Sequence, residues 1–403
     1  MSHRAIASAL VTLATVLGVT AATATAAAAA PARPAAAPPA ARELLAVSCR
    51  TAANCLAVGI DQNAFKGMGG PLAEKWNGRA WQTIAVKLPA GATGGALGRI
   101  SCVSATHCVA VGFYDKGAGN QFALADTWNG RSWTPSQPPA PGGESTSLSG
   151  VSCKSVTACM AVGTYTKSTS TGPLGAPLAE SWNGRKWTEA RPPVPANSDI
   201  SGLDSVSCTS EASCIATGIL ITTVSAALIE SWNGRSWSRV KSAALPATTL
   251  GELITMSCLA AKSCDAVGYA SSSKGLGSLA ETWNGKAWTL TTVHWPKGTS
   301  NELLSGVSCV AGHRCVAVGV IDSNLNATSN TGKAGAATWN GRAWTVTSVP
   351  APAKGKASLL RDVTCLSAAN CVAVGQTGPS GSTNGTGLSA FWNGKSWRLV
   401  VAK

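Results

Sequence analysis

The chain has 403 residues, a formal net charge of +14, fourteen Cys, fifteen Trp and only four His (His3, His107, His294 and His313). So few imidazoles leave a Ser-His catalytic pair little to draw on, and no nucleophile elbow, phosphate loop or zincin motif is present. The positive charge suits anionic partners, but no basic and aromatic residues interleave on a groove-like motif, which argues against nucleic acid.

Residues 1–30 carry one charge, Arg4, then an apolar stretch and small-x-small sites such as Ala24-Thr25-Ala26. That pattern predicts a secretory signal peptide. The first Cys is Cys49, so no lipoprotein cleavage site is available, and the mature chain is expected to have no integral membrane segment. Residues 31–41 form a Pro/Ala-rich spacer that cannot build a core. The expected location is extracellular, with cell-surface association in view.

From residue 42 one unit recurs seven times: an apolar run ending in Ser/Thr-Cys, five residues, a second Cys, Ala-Val-Gly or a close variant, and later Trp-Asn-Gly-x-x-Trp. The cysteine pairs are Cys49/Cys55, Cys102/Cys108, Cys153/Cys159, Cys208/Cys214, Cys258/Cys264, Cys309/Cys315 and Cys365/Cys371. The tryptophan pairs are Trp76/Trp81, Trp128/Trp133, Trp182/Trp187, Trp232/Trp237, Trp283/Trp288, Trp339/Trp344 and Trp392/Trp397. A period of 50 to 56 residues fits one four-stranded sheet per copy,. The spacing therefore predicts an all-β, seven-bladed β-propeller with blades at about 42–90, 91–142, 143–196, 197–247, 248–298, 299–352 and 353–403.

Within a copy, strand A ends at Ser/Thr-Cys, strand B is Cys-x-Ala-Val-Gly, strand C is Leu-Ala-Glu-x-Trp and strand D starts at the second Trp. In Cys108-Val109-Ala110-Val111-Gly112 small residues and valines alternate between two faces,. The Trp pairs are expected to pack between neighbouring blades, each burying on the order of 200 Å². Each Cys pair is expected to clamp its own A-B hairpin, stabilising it by about 2 kcal/mol, with blade-to-blade bridging as the other connectivity. Ring closure is expected from blade packing plus disulfides. Even Cys spacing in an exported chain reads as disulfides, and the four His do not follow the repeat, so neither metal nor cofactor is expected.

The C-D turn carries one cation per copy, Arg79, Arg131, Arg185, Arg235, Lys286, Arg342 and Lys395, spaced as a ring. Glu74, Asp126, Glu180, Glu230 and Glu281 lie two residues before the first Trp and read as structural or rim positions of strand C. The B-C and D-A connections vary between copies, so a binding surface is expected on the face they share. There the non-repeat Trp295, beside His294, and the strand-B exit residues Tyr114, Tyr165 and Tyr269 are the candidate ligand-binding residues; Trp295 reads equally as a plug over the seam between copies five and six. No catalytic residue is assigned.

The Gly-x-x-Trp turn resembles the Asp-box turn of sialidase-like propellers, and Trp-Asn-Gly-x-x-Trp resembles turns of tachylectin-type propeller lectins. The whole unit, over residues 42–403, is similar to repeats in uncharacterised exported proteins of high-GC Gram-positive bacteria. The Asp-box match is partial, because the Asp position holds Trp76 and its equivalents. What the resemblance implies is a propeller scaffold that hosts hydrolases, lectins and adhesins alike. The expected function is a monomeric, non-enzymatic binding or adhesion module for a glycan or anionic cell-wall polymer. The competing readings are a glycan-cleaving hydrolase or lyase, and a protein-binding scaffold.

Overall fold

The computed structural model describes residues 41–401 apart from 66–68, 118–119, 142–144, 170–171, 197, 223–224, 246–248, 273–274, 323–331, 354–355 and 380–384. The segments predicted as signal peptide (1–30) and spacer (31–41) lie, apart from Ala41, outside the described residues. Among the described residues the regular structure is β throughout: twenty-eight strands, four to a sequence copy, numbered β1 to β28. In copy one they are β1 (Arg42–Thr51), β2 (Asn54–Asp61), β3 (Gly70–Trp76) and β4 (Trp81–Ile84).

These strands form antiparallel meanders in six sheets among the described residues, five of four strands and one of eight. The eight-stranded sheet comprises copies three and four, joined through one parallel pair, Gly175 with Ile200. The leading strands are β1, β5 (Gly94–Ser104), β9 (Thr146–Ser155), β13 (Ile200–Ser210), β17 (Leu250–Ala260), β21 (Leu303–Val310) and β25 (Lys356–Ser367). Each lies against the next and β25 returns to β1, so they ring a common axis in the manner of a β-propeller,.

Both sequence pairs are facing residues of hairpins. Cys49 opposes Cys55 and Trp76 opposes Trp81, and the other copies repeat this register. The seven bridges are Cys49–Cys55, Cys102–Cys108, Cys153–Cys159, Cys208–Cys214, Cys258–Cys264, Cys309–Cys315 and Cys365–Cys371. Each stays within its own hairpin, so blade-to-blade bridging does not occur. The strand-B partners Cys55, Cys108, Cys159, Cys214, Cys264, Cys315 and Cys371 are all buried, which makes these cysteines core residues of the scaffold. The residue before the first Cys ties adjacent copies together. Ser48 Oγ accepts the Cys102 N–H of the next copy, and Ser101, Ser152, Ser207, Ser257 and Ser308 repeat the contact.

Every leading strand carries a bulge, at Leu45, Gly98, Ser149, Asp204, Ile254, Ser305 and Arg361. The bulge presses a strand-A carbonyl onto strand B, where a Cβ on Gly59 would sit 1.9 Å from the Glu43 oxygen. That collision explains the Gly of Ala-Val-Gly in all seven copies.

The two faces of strand B serve opposite neighbours. Val109 and Val111 pack with Leu148, Ala161 and Leu178 of copy three, while Cys108 and Ala110 pack with Leu56 and Val58 of copy one. In five copies the first Trp anchors its own A-B turn, as where Trp128 Nε1 donates to the Ala105 carbonyl at 3.3 Å. The second reaches the preceding copy, as where Trp187 Nε1 donates to Ser136 Oγ at 3.1 Å.

Closure uses the same packing. Leu44, Val47 and Trp76 share a core with Val372, Val374 and Phe391, and the Trp76 and Phe391 rings lie 4.9 Å apart. Trp81 Nε1 donates to Ser389 Oγ, and Arg361 pairs with Glu43 at 2.6 Å. The expected contribution of disulfides to closure is not found, because every bridge stays inside one hairpin.

Candidate functional site

The Trp-Asn-Gly turn has one geometry in all seven copies. Asn77 Oδ1 accepts the backbone N–H groups of Arg79 and Ala80, both at 2.9 Å, and Asn129, Asn183, Asn233, Asn284, Asn340 and Asn393 do the same for their turns. The following Gly has a φ of 93° at Gly78, a left-handed conformation that only Gly adopts readily,. This locked turn holds Arg79, Arg131, Arg185, Arg235, Lys286, Arg342 and Lys395 exposed to solvent.

A second constellation lies on the axis, where the leading strands deliver unlike groups at and beside their bulges. The Arg99 charge acts on both Asp204, two copies onward, and Asp362, two copies back, drawing each carboxyl down against the rise that burial causes. Arg99 Nη1 also donates to the Leu45 carbonyl at 3.3 Å. Asp362 Oδ2 accepts the Val47 N–H at 3.0 Å. Tyr269 donates its hydroxyl to Glu252 Oε2 at 2.6 Å.

Asp204, Glu252 and Asp362 are half-buried among protein groups. Desolvation therefore pushes all three carboxyls up. The Glu252 charge adds to the shift of Asp204, whereas Arg99 opposes it and the Tyr269 hydroxyl opposes that of Glu252. Asp204 Oδ2 is buried with no hydrogen-bond partner among the described residues. Chemically, the cluster offers a cation, carboxyls held toward the protonated form and a phenol within one small volume.

Sequence reasoning missed this cluster. The signal for Arg99, Asp204 and Asp362 lies four and three residues before the first Cys of each copy, where the repeat dissolves into Leu45-Ala46, Gly98-Arg99, Ser149-Gly150, Asp204-Ser205, Ile254-Thr255, Ser305-Gly306 and Arg361-Asp362.

The candidate ligand-binding residues do not converge. Trp295 Nε1 donates to Ser278 Oγ at 2.9 Å and its half-buried ring packs into the core between copies five and six, whereas His294 is exposed. Tyr114 is buried against Phe122 with Lys116 above both rings, and Tyr165 is half-buried against the core that copies two and three share. Tyr269 follows its strand-B Gly by one residue and Tyr114 and Tyr165 by two, so Tyr269 points to the opposite face,. Much of the variable stretches 323–335 and 377–387 lies outside the described residues.

Of the two readings of the strand-C acids, the structural one holds and the rim one does not: Glu74, Asp126, Glu180, Glu230 and Glu281 are buried. Desolvation raises Asp126, Glu230 and Glu281 to about 7. It raises Glu180 to about 8, with Glu189 adding to the shift. Glu74 is raised by burial, against the pull of Arg42. A cavity of about 330 Å³ lies against Ala226, Ala227 and Arg239, the last of which pairs across the strands with Glu230. No helix among the described residues is long and apolar enough to cross a membrane.

No family model and no curated protein matches the chain in sequence. Among solved structures it is similar to the GH74 xyloglucanase from Xanthomonas campestris, with 11% identity and a TM-score of 0.54 over 89% of this chain and 54% of that one. It is also similar to a PL25 ulvan lyase bound to a saccharide, with 8% identity and a TM-score of 0.53 over 87% of this chain and 92% of that one. The lectin SapL1 in complex with alpha methyl fucoside aligns at 14% identity and a TM-score of 0.43 over 90% and 96%. At these identities the first two likenesses establish a shared fold and no more.

Proposed function

We propose that the protein is a secreted, seven-bladed propeller that binds an anionic glycan or cell-envelope polymer without cleaving it. The observation that carries this reading is the turn of unvarying geometry presenting an exposed Arg or Lys in each of the seven copies. One such cation holds an anionic group weakly. Seven at fixed spacing engage a repeating polyanion together, since each bound group raises the effective concentration of the next. This moves the polymer contact from the variable loops to the constant face.

A binding array of glycans and cell-wall polymers, run over a salt series with the oxidised mature protein, tests the reading. The Arg79→Ser/Arg235→Ser/Lys395→Ser variant is expected to bind polyanions more weakly and with a shallower salt dependence. Silence on every polymer, or binding that the triple variant leaves unchanged, would overturn it.

One observation favours a second reading, glycan cleavage: the axis concentrates Arg99, Asp204, Glu252 and Tyr269, unlike groups of the kind acid-base chemistry uses. New reducing ends or unsaturated products from any polymer on the array, abolished by Asp204→Asn, would establish it.

A further inference from the structure

In six copies the disulfide is covered by an apolar side chain from the strand B of the preceding copy. Val372, Leu56, Val109, Met160, Ile215 and Val316 take this place over the bridges of copies one, two, three, four, five and seven. Over the bridge of copy six the residue is Asp265, 2% exposed. Its Oδ2 lies 3.4 Å from Cys309 Sγ and 3.3 Å from Cys315 Sγ. The same oxygen is 2.7 Å from His313 Nε2.

The A-B turn of copy six departs from the others at the same spot. His313 stands where they have Ala53, Thr106, Thr157, Ala212, Lys262 and Ala369, and it adopts a φ of 53°. Trp339 Nε1, whose counterpart Trp128 donates to its A-B turn, has no partner among the described residues, and the His313 ring sits edge-on to Trp339 instead. Two departures from the repeat, made by different copies, thus meet on one oxygen atom.

We propose that this seam is a redox-gated site for a divalent metal ion of the zinc class, closed while Cys309 and Cys315 are bonded and opened by their reduction. The donor set is two thiolates, one imidazole and one carboxylate, the set tetrahedral zinc takes. With metal–oxygen and metal–sulfur bonds of about 2.0 and 2.3 Å, a tetrahedral O···S edge is about 3.5 Å. The two Asp265–sulfur separations already fall close to this edge, and only the two sulfurs and the imidazole need to spread.

A dithiol passes two electrons and two protons to the bridge and leaves as a cyclic disulfide. Zn²⁺ then displaces both thiol protons to solvent, and His313 ligates through Nε2 with its remaining proton on Nδ1. The side chain of His313 is 31% exposed and opens the site to solvent.

The repeat supplies its own controls. Cys309→Ala in the mature chain breaks this bridge alone, keeps six, and leaves Cys315, His313 and Asp265 as three ligands. Titrated with Co²⁺ under non-reducing conditions, this variant is expected to bind one ion per chain with a thiolate charge-transfer band, displaced by Zn²⁺. Adding His313→Ala or Asp265→Val should weaken binding by about two orders of magnitude. Cys208→Ala, which frees Cys214 beneath Met160 and beside Ala212, should give no such band.

Equal binding in the Cys208→Ala and Cys309→Ala variants, indifference to His313→Ala, or no stoichiometric cobalt would each overturn the proposal. Near-ultraviolet circular dichroism follows the fold. Should Cys309→Ala lose it, the native chain partly reduced with a dithiol and compared with its His313→Ala variant asks the same question, with loss of the tight site in that variant expected and no difference overturning the proposal.

Discussion

Asp362 accepts a hydrogen bond from the backbone N–H of Val47 at 3.0 Å across 315 residues of sequence, and so joins the last copy to the first. The same carboxylate is held by the Arg99 charge and the Val363 N–H. Asp362→Ala leaves the Val47 N–H unsatisfied at the closing seam and is expected to cost about 1–3 kcal/mol. Asp362→Asn keeps an acceptor and should lose less. Denaturant unfolding of both variants checks the order.

The second Trp of each copy predicts where stability is missing. Trp187, Trp344 and Trp397 donate to Ser136, Thr291 and Thr347 in the preceding copy. Trp133, Trp237 and Trp288 have no partner among the described residues, and the preceding copies offer Ile84, Ala190 and Val240 at that position. Val240→Thr is expected to give Trp288 an acceptor and add about 1 kcal/mol, whereas Thr347→Val should cost a similar amount by orphaning Trp397. Unfolding midpoints of the pair, opposite in sign, are the check.

The strand-C carboxyls give an unusual pH dependence. Their folded pKa values, about 7 for Asp126, Glu230 and Glu281 and about 8 for Glu180, lie above the ordinary unfolded range near 4,. Between those limits the folded state binds more protons than the unfolded state. Their contribution is therefore complete below about pH 4 and is lost as pH rises through 7 to 8. The melting temperature should fall from pH 5 to pH 8.5, and Glu180→Gln/Glu230→Gln/Glu281→Gln should flatten the fall.

Each disulfide joins residues six positions apart. Removing one pair, Cys208→Ala/Cys214→Ala, is expected to cost about 2 kcal/mol on the chain-entropy account. Calorimetry in oxidised buffer measures it, and unchanged stability would show that the hairpin register alone keeps the unfolded segment compact.

The scaffold was legible because its determinants recur. Cys, Trp and the strand-B Gly each meet the same neighbour seven times, so spacing alone located the hairpins, and the alternation in Cys108–Gly112 gave the two faces of strand B. What could not be read is what does not recur. Arg99, Asp204 and Asp362 sit at a bulge invisible in the period, and their neighbours on the axis come from copies far apart in sequence. Asp265 looks like one polar residue in a strand until the seam sets it against His313. The strand-C acids recur in five copies, but an acidic residue in a strand ordinarily faces water, so the period alone gave no sign of their burial,.

Because the two sulfurs of each bridge are only six positions apart in the chain, wherever the polypeptide meets an oxidant both partners arrive almost together. Each crosslink can form before the next hairpin has emerged, so oxidative maturation becomes seven local events with little occasion for mispairing. The ring itself stays covalently open, and its final docking remains reversible after every sulfur has found its mate.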